Sequence, residues 1–109
     1  MTWTVSASGS QTSTVGTEIV LTTDVSNATY YFEVDLTPML AGDVFELRVY
    51  TMTIGGGTMH EVWKDTTGPI VPVCPIRPSP PQPSDQSLKC SIKQIAGSAR
   101  TVPWKLLRI

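Results

Sequence analysis

Apolar and polar residues alternate along much of this chain. In residues 29–36, TYYFEVDL, Tyr30, Phe32, Val34 and Leu36 fall on one face and Tyr31, Glu33 and Asp35 on the other, which is the two-residue period of a half-buried strand. Residues 44–54, VFELRVYTMTI, set Phe45, Leu47 and Val49 against Glu46, Arg48 and Tyr50. Residues 87–95, SLKCSIKQI, set Leu88, Cys90 and Ile92 against Lys89, Ser91 and Lys93. With TWTVSA, EIVLTTDV, TMHEVWKDT and RTVPWKLLRI the pattern predicts seven or eight short strands and no helix.

The punctuation between these runs is turn chemistry. Gly55-Gly56-Gly57 between two β-rich runs predicts a hairpin whose loop uses positive φ. TPMLAGD, residues 37–43, predicts a short turn or a single helical turn. Ala96-Gly97-Ser98 predicts a second hairpin that closes the chain, and Pro103 marks the last strand as an edge or a bulge, because a central strand cannot spare the donor. So many short strands in one small chain predict a single all-β domain over residues 1–109, an antiparallel β-sandwich or jelly-roll-like fold, which hides most sheet edges.

One stretch breaks the alternation. In GPIVPVCPIRPSPPQP, residues 68–83, Pro69, Pro72, Pro75, Pro78 and Pro81 recur at every third position, the period of a polyproline II helix. Ile70, Val73 and Ile76 then share one edge, and Val71, Cys74 and Arg77 another. A flexible linker is Gly/Ser-rich, whereas these apolar side chains gain from leaving water. The tract is therefore expected to be an ordered, extended arm within the domain, anchored through Ile70, Val73 and Ile76 on a neighbouring surface. Arg77, Pro80 and Pro83 also fit the pattern accepted by the aromatic grooves of SH3-type domains, a match that any tract so rich in proline produces by chance.

Composition narrows the function classes. Hydrophobic residues make up 40% and charged residues only 16%, with Thr and Ser in the places that Lys and Glu usually hold. A net charge of −1 with scattered Lys and Arg argues against a nucleic-acid surface. The start, MTWTVSASGS, has neither a charged n-region nor an apolar run, so no secretory signal is expected, and no stretch is long and apolar enough for a membrane span. Synthesis in a cytoplasm follows, and there Asn27-Ala28-Thr29 is not a glycosylation site. Cys74 and Cys90 are too few for a disulfide scaffold or a metal site and are expected as two reduced, buried thiols, the alternative being one disulfide that pins the tract to a strand.

Candidate chemistry is sparse. His60 begins HEVWK, but a zinc helix needs a second histidine where Lys64 stands, so His60 reads as a surface residue. Glu33, Asp35 and Glu46 lie on polar faces, read as lying beside Arg48, which suits a solvated ion-pair network better than a glycosidase pair. Gly55-Gly56-Gly57 lacks the lysine and helix of a phosphate loop. No catalytic residue, metal ligand, cofactor or small-molecule substrate is expected. Trp3, Trp63 and Trp104 are read as core or interface residues, with sugar stacking in a carbohydrate-binding β-module as the alternative.

Three segments carry a resemblance: M-x-x-G-D at Met39–Asp43, E-L-R-x-Y at Glu46–Tyr50, and K-Q-x-A-G-x-x-R-x-x-P-W-K at Lys93–Lys105. Together with the Trp-Lys strand and the proline-rich stretch, the chain resembles small virion structural proteins from the morphogenesis clusters of tailed bacteriophages. These are signatures of a fold, so the resemblance implies a place in the particle and no reaction. The leading expectation is a capsid decoration or cement protein that sits on the head shell as a symmetric oligomer, a trimer, touching the major capsid protein and copies of itself. The runner-up is a tail or neck component. The expected contact residues are Pro69, Ile70, Pro72, Val73, Pro75, Ile76, Arg77 and Pro78 of the arm, with Leu107 and Ile109 of the apolar C-terminus.

Overall fold

The structure, a computed structural model, describes residues 2–109. Among the described residues there are nine strands and no helix: β1 (Thr4–Thr12), β2 (Glu18–Asp24), β3 (Ala28–Asp35), β4 (Val44–Thr51), β5 (His60–Thr67), β6 (Ile76–Pro78), β7 (Gln82–Ser84), β8 (Leu88–Ala96) and β9 (Thr101–Arg108). One sheet runs β1-β9-β3 and then β6 and β7, which lie end to end along β3. The other runs β2-β8-β4-β5.

All strand pairings are antiparallel, and they nest: β1 with β9, β2 with β8, β3 with β6 and β7, β4 with β5. A chain folded back into one long hairpin and rolled into two sheets has this connectivity, so the sandwich is a jelly roll in which β6 and β7 count as one interrupted strand. The alternating faces read from sequence meet between the sheets. Tyr30, Phe32, Val34 and Leu36 face Phe45, Leu47, Val49, Leu88, Cys90 and Ile92, joined by Val102, Leu106 and Met39. Trp63 and Trp104 pack against this core from its margins.

Two expectations about topology are corrected. β8 and β9 do not form a hairpin: β8 pairs with β2 and β4, β9 pairs with β1 and β3, and residues 97–100 carry the chain from one sheet to the other. Each strand has one apolar face, and crossing the sandwich lets both turn that face inward. Nor is β9 an edge, since it lies between β1 and β3. Pro103 is tolerated because the β3 pairing of β9 begins only at Trp104, so beside Pro103 there is no β3 acceptor for the missing N–H.

The proline tract divides in two. Residues 75–84 lie along β3 as its outer neighbour: Pro75 O accepts from Leu36 N–H at 2.9 Å, Ser79 N–H donates to Phe32 O at 2.7 Å, and Ser79 Oγ accepts from Phe32 N–H. An edge strand needs hydrogen bonds on one side only, which is where prolines are accepted. Residues 70–74 instead make an open loop, with Ile70 82% and Val73 99% exposed.

Candidate functional site

Four connections meet at one end of the sandwich: residues 13–17, 36–43, 68–75 and 97–100. Asp43, which the sequence offered only as the end of a turn, ties them together. Its carboxylate is buried and accepts hydrogen bonds from Leu40 N–H (2.9 Å) and Arg100 Nε (2.7 Å) on Oδ2, and from Ser98 N–H (3.2 Å) on Oδ1. Hydrogen bonding from the Arg100 guanidinium, foremost, holds the Asp43 carboxyl below its ordinary value despite burial. Arg100 N–H in turn donates to Ser13 Oγ, Ser13 Oγ donates to buried Gln94, and Gln94 Nε2 donates to the carbonyls of Ala96 and Ser98. Two glycines permit this closeness: a Cβ on Gly97 (φ +96°) would stand 2.0 Å from Asp43 Oδ1, and one on Gly68 (φ +122°) 2.1 Å from Asp43 O.

The loop of residues 69–75 hangs on this knot, because Pro69 O accepts from Gly42 N–H at 2.9 Å and Pro75 O from Leu36 N–H. Of the expected contact residues, Pro69, Ile70, Val73, Ile76, Pro78 and Ile109 are exposed, while Pro72, Pro75, Arg77 and Leu107 are half-buried. Ile70 and Val73 therefore anchor nothing within the chain. Leu40 and Val71, also exposed, belong to the same loop end. Arg77 has an internal role: its guanidinium binds Asp65 of β5 at 2.9 Å, clamping the two sheets at their β5–β6 border. With Arg77 so engaged and residues 76–78 and 82–84 paired as strand, the SH3-type match is not presented as a polyproline helix. Leu106, next to the expected C-terminal contacts, belongs to the core.

The cysteines do not share an environment. Cys90 is buried, and burial pushes its thiol well above the ordinary value, whereas Cys74 lies exposed in the loop and both are free, which corrects the expectation of two buried thiols. The reason is that residues 70–74 leave the sheet, so no core strand covers Cys74.

The polar faces also differ from expectation. Glu33 and Asp35 sit on the first sheet and Glu46 and Arg48 on the second, so they face opposite sides of the molecule. Arg48 bridges Glu46 (2.6 Å), Glu61 (2.9 Å) and Glu18 (3.4 Å), and Lys64 reaches Glu46 at 2.9 Å. Glu46 keeps only 10% and Arg48 15% of side-chain exposure, so the centre of this ladder is shielded while Glu61 and Lys64 at its margin stay exposed. On the first sheet Glu33 accepts from Tyr31 and pairs with Lys105 at 3.6 Å. Trp104, Lys105, Asp35, Ile76 and Pro103 line an open cleft there, but the Trp104 ring packs against Gly9, which occupies part of its surface. Trp3 lies 6.2 Å from Tyr31, ring centre to ring centre.

At the other end a second acid, shielded though not fully buried, closes the sandwich. Asp24 of β2, in the second sheet, accepts from Ser6, Tyr30 and Arg108 of the first sheet and from Ser26 of the β2–β3 turn. Burial alone would raise its carboxyl, but the bonds from Ser6, Ser26 and Tyr30 outweigh it and hold the group far below the carboxylate range. Burial and the bond to Asp24 push the Tyr30 phenol up to about 12. His60 is exposed at the start of β5, and among the described residues no three His, Cys, Asp or Glu side chains gather as a metal site. No known protein family matches this chain, and neither a curated protein nor a solved structure does so at a significant level.

Proposed function

We propose that this chain is a non-enzymatic structural protein of a tailed-phage virion, a capsid decoration or cement protein that binds the head shell and neighbouring copies of itself. The observation that carries the reading is the loop end. Leu40, Ile70, Val71 and Val73 present large aliphatic side chains to solvent, Leu40 from a turn held by Asp43 and the others from a loop pinned at its two ends through Pro69 O and Pro75 O. A loop pinned at both ends loses less entropy on docking than a free segment, and each side chain that becomes fully buried returns about 1.5–3 kcal/mol. Such loops suit a permanent contact better than a reaction. The jelly roll itself is shared by capsid, lectin and other domains and lends only analogy.

The partners in this reading are the major capsid protein and further copies of the chain, with no nucleic acid, membrane or small-molecule substrate. The protein is made in the bacterial host cytoplasm and ends in the virion. Cryo-EM of the native particle tests this directly: density for the jelly roll on the head shell, loop end inward, is the expected result. Replacing Ile70, Val73 and Ile76 with Ser should leave the isolated domain folded and reduce its incorporation into particles. Density in the tail or neck moves the chain there, and normal incorporation of the triple variant removes the loop from the contact. Saturable sugar binding lost in Trp104→Ala would favour a carbohydrate module at the first-sheet cleft instead.

A further inference from the structure

Strand β1 and the β6–β7 segment border the first sheet, and β2 and β5 border the second. An open edge pairs with any strand that reaches it, and proteins block such edges with charge, proline or a bulge. Three of the four are blocked in this way. β5 carries Glu61, Lys64 and Asp65, the β6–β7 segment carries Pro78, Pro80, Pro81 and Pro83, and β2 carries Glu18, Asp24 and a register shift between Val20 and Thr22. β1, TVSASGSQT, has no charged residue and no proline. Its one irregularity, between Val5 and Ala7, leaves Ala7–Thr12 as an unbroken strand paired with Leu106–Thr101 on one side and open on the other. Ser8, Gly9, Ser10 and Thr12 are exposed there, and none has a long side chain to stand over the edge.

We infer that the Ala7–Thr12 edge pairs antiparallel with the same segment of a second copy about a two-fold axis, joining the first sheets of two chains into one continuous sheet. The inference deepens the assembly reading above by naming the contact between copies. A two-fold contact must be complementary to itself. Centred on this segment, Ala7 faces Thr12, Ser8 faces Gln11 and Gly9 faces Ser10, so every facing pair is neutral and no like charges meet. β5 would bring its own charges to such a contact, and the β6–β7 segment is interrupted by four prolines without donors. Val5 of β1, Val20 of β2 and Val15 of the connection between these two edge strands are exposed apolar residues. The assembly is then built from dimers, in place of the trimer expected from sequence.

Multi-angle light scattering and sedimentation on the full chain, from micromolar to hundreds of micromolar, test this. The expected result is a dimer that Ser8→Glu with Ser10→Glu converts to a monomer of unchanged circular dichroism, while Thr66→Glu on β5 leaves the dimer intact. A monomer throughout, a trimer, or a dimer that survives the double substitution overturns the inference. Should the double variant fail to fold, hydrogen exchange on the parent chain decides: amide protection at Ala7–Thr12 must rise with protein concentration, and flat protection overturns the pairing. A solution dimer absent from particles removes the virion reading and leaves this one, whereas a monomer that decorates particles does the reverse.

Discussion

Replacing Asp43 with asparagine is the sharpest perturbation this fold offers, because the two side chains have nearly the same shape. Oδ2 accepts from Leu40 N–H and Arg100 Nε, and Oδ1 from Ser98 N–H with a long contact to Arg100 Nη2. An amide has one oxygen, so whichever way the substituted side chain turns, its NH2 faces groups that are themselves donors. Arg100 loses its counter-ion while its side chain remains only 25% exposed. Breaking a buried ion pair from one side costs about 3–5 kcal/mol, and the partial exposure of Arg100 brings the expected loss to about 3 kcal/mol. With an unfolding entropy of ~2.1 cal/mol/K per residue, that lowers the midpoint of a chain this size by roughly 10–15 °C. Thermal unfolding followed by circular dichroism measures it, with Glu61→Gln on the exposed part of the charge ladder as the control, which changes stability by under about 0.5 kcal/mol and so moves the midpoint by under about 2 °C. A midpoint for Asp43→Asn within about 4 °C of the parent, which is near 1 kcal/mol, would refute the claim that Asp43 holds the loop end together.

Acid should destabilise the protein. Asp24, Asp43, Glu46 and Glu18 all have carboxyls held below their ordinary values, so the stability they contribute is present above the unfolded carboxylate range and is lost as pH falls from about 4.5 through their folded values. Tyr30, raised to about 12, works in the opposite direction, with stability lost as pH rises from the ordinary phenol value of 10.0 toward 12. Denaturant melts across pH check both limbs, and a flat profile between pH ~5 and ~2 would count against the two acid clusters. A thiol reagent should modify Cys74 at once and Cys90 only after denaturation, so one equivalent in the folded chain and two in denaturant are expected; two fast equivalents would show that the core opens at β8.

The sequence determined the strands and their faces. Alternation at Tyr30–Leu36, Phe45–Val49 and Leu88–Ile92 decides which residues enter the core, because a period of two forces successive side chains to opposite sides of a sheet, and only one side of each was apolar. Of the extended arm expected over residues 68–83, residues 76–78 and 82–84 are strand, while residues 70–74 form an open loop. What the sequence did not determine was which strands pair. Local pattern is the same whether β8 and β9 form a hairpin or face each other across the core, and the choice rests on residues far apart in the chain: Asp43 meeting Arg100, Asp65 meeting Arg77, Asp24 meeting Arg108. The acids that lock the loops had no signature of their own, because an aspartate in a turn looks the same whether it meets water or a buried guanidinium. Tertiary structure likewise decided that Pro103 could sit in a central strand, since only the fold shows that the pairing of β9 with β3 stops at Trp104. Half of the proline tract became a sheet edge for the same reason: β3 lay uncovered, and a proline-rich strand that needs hydrogen bonds on one side only was enough to cover it.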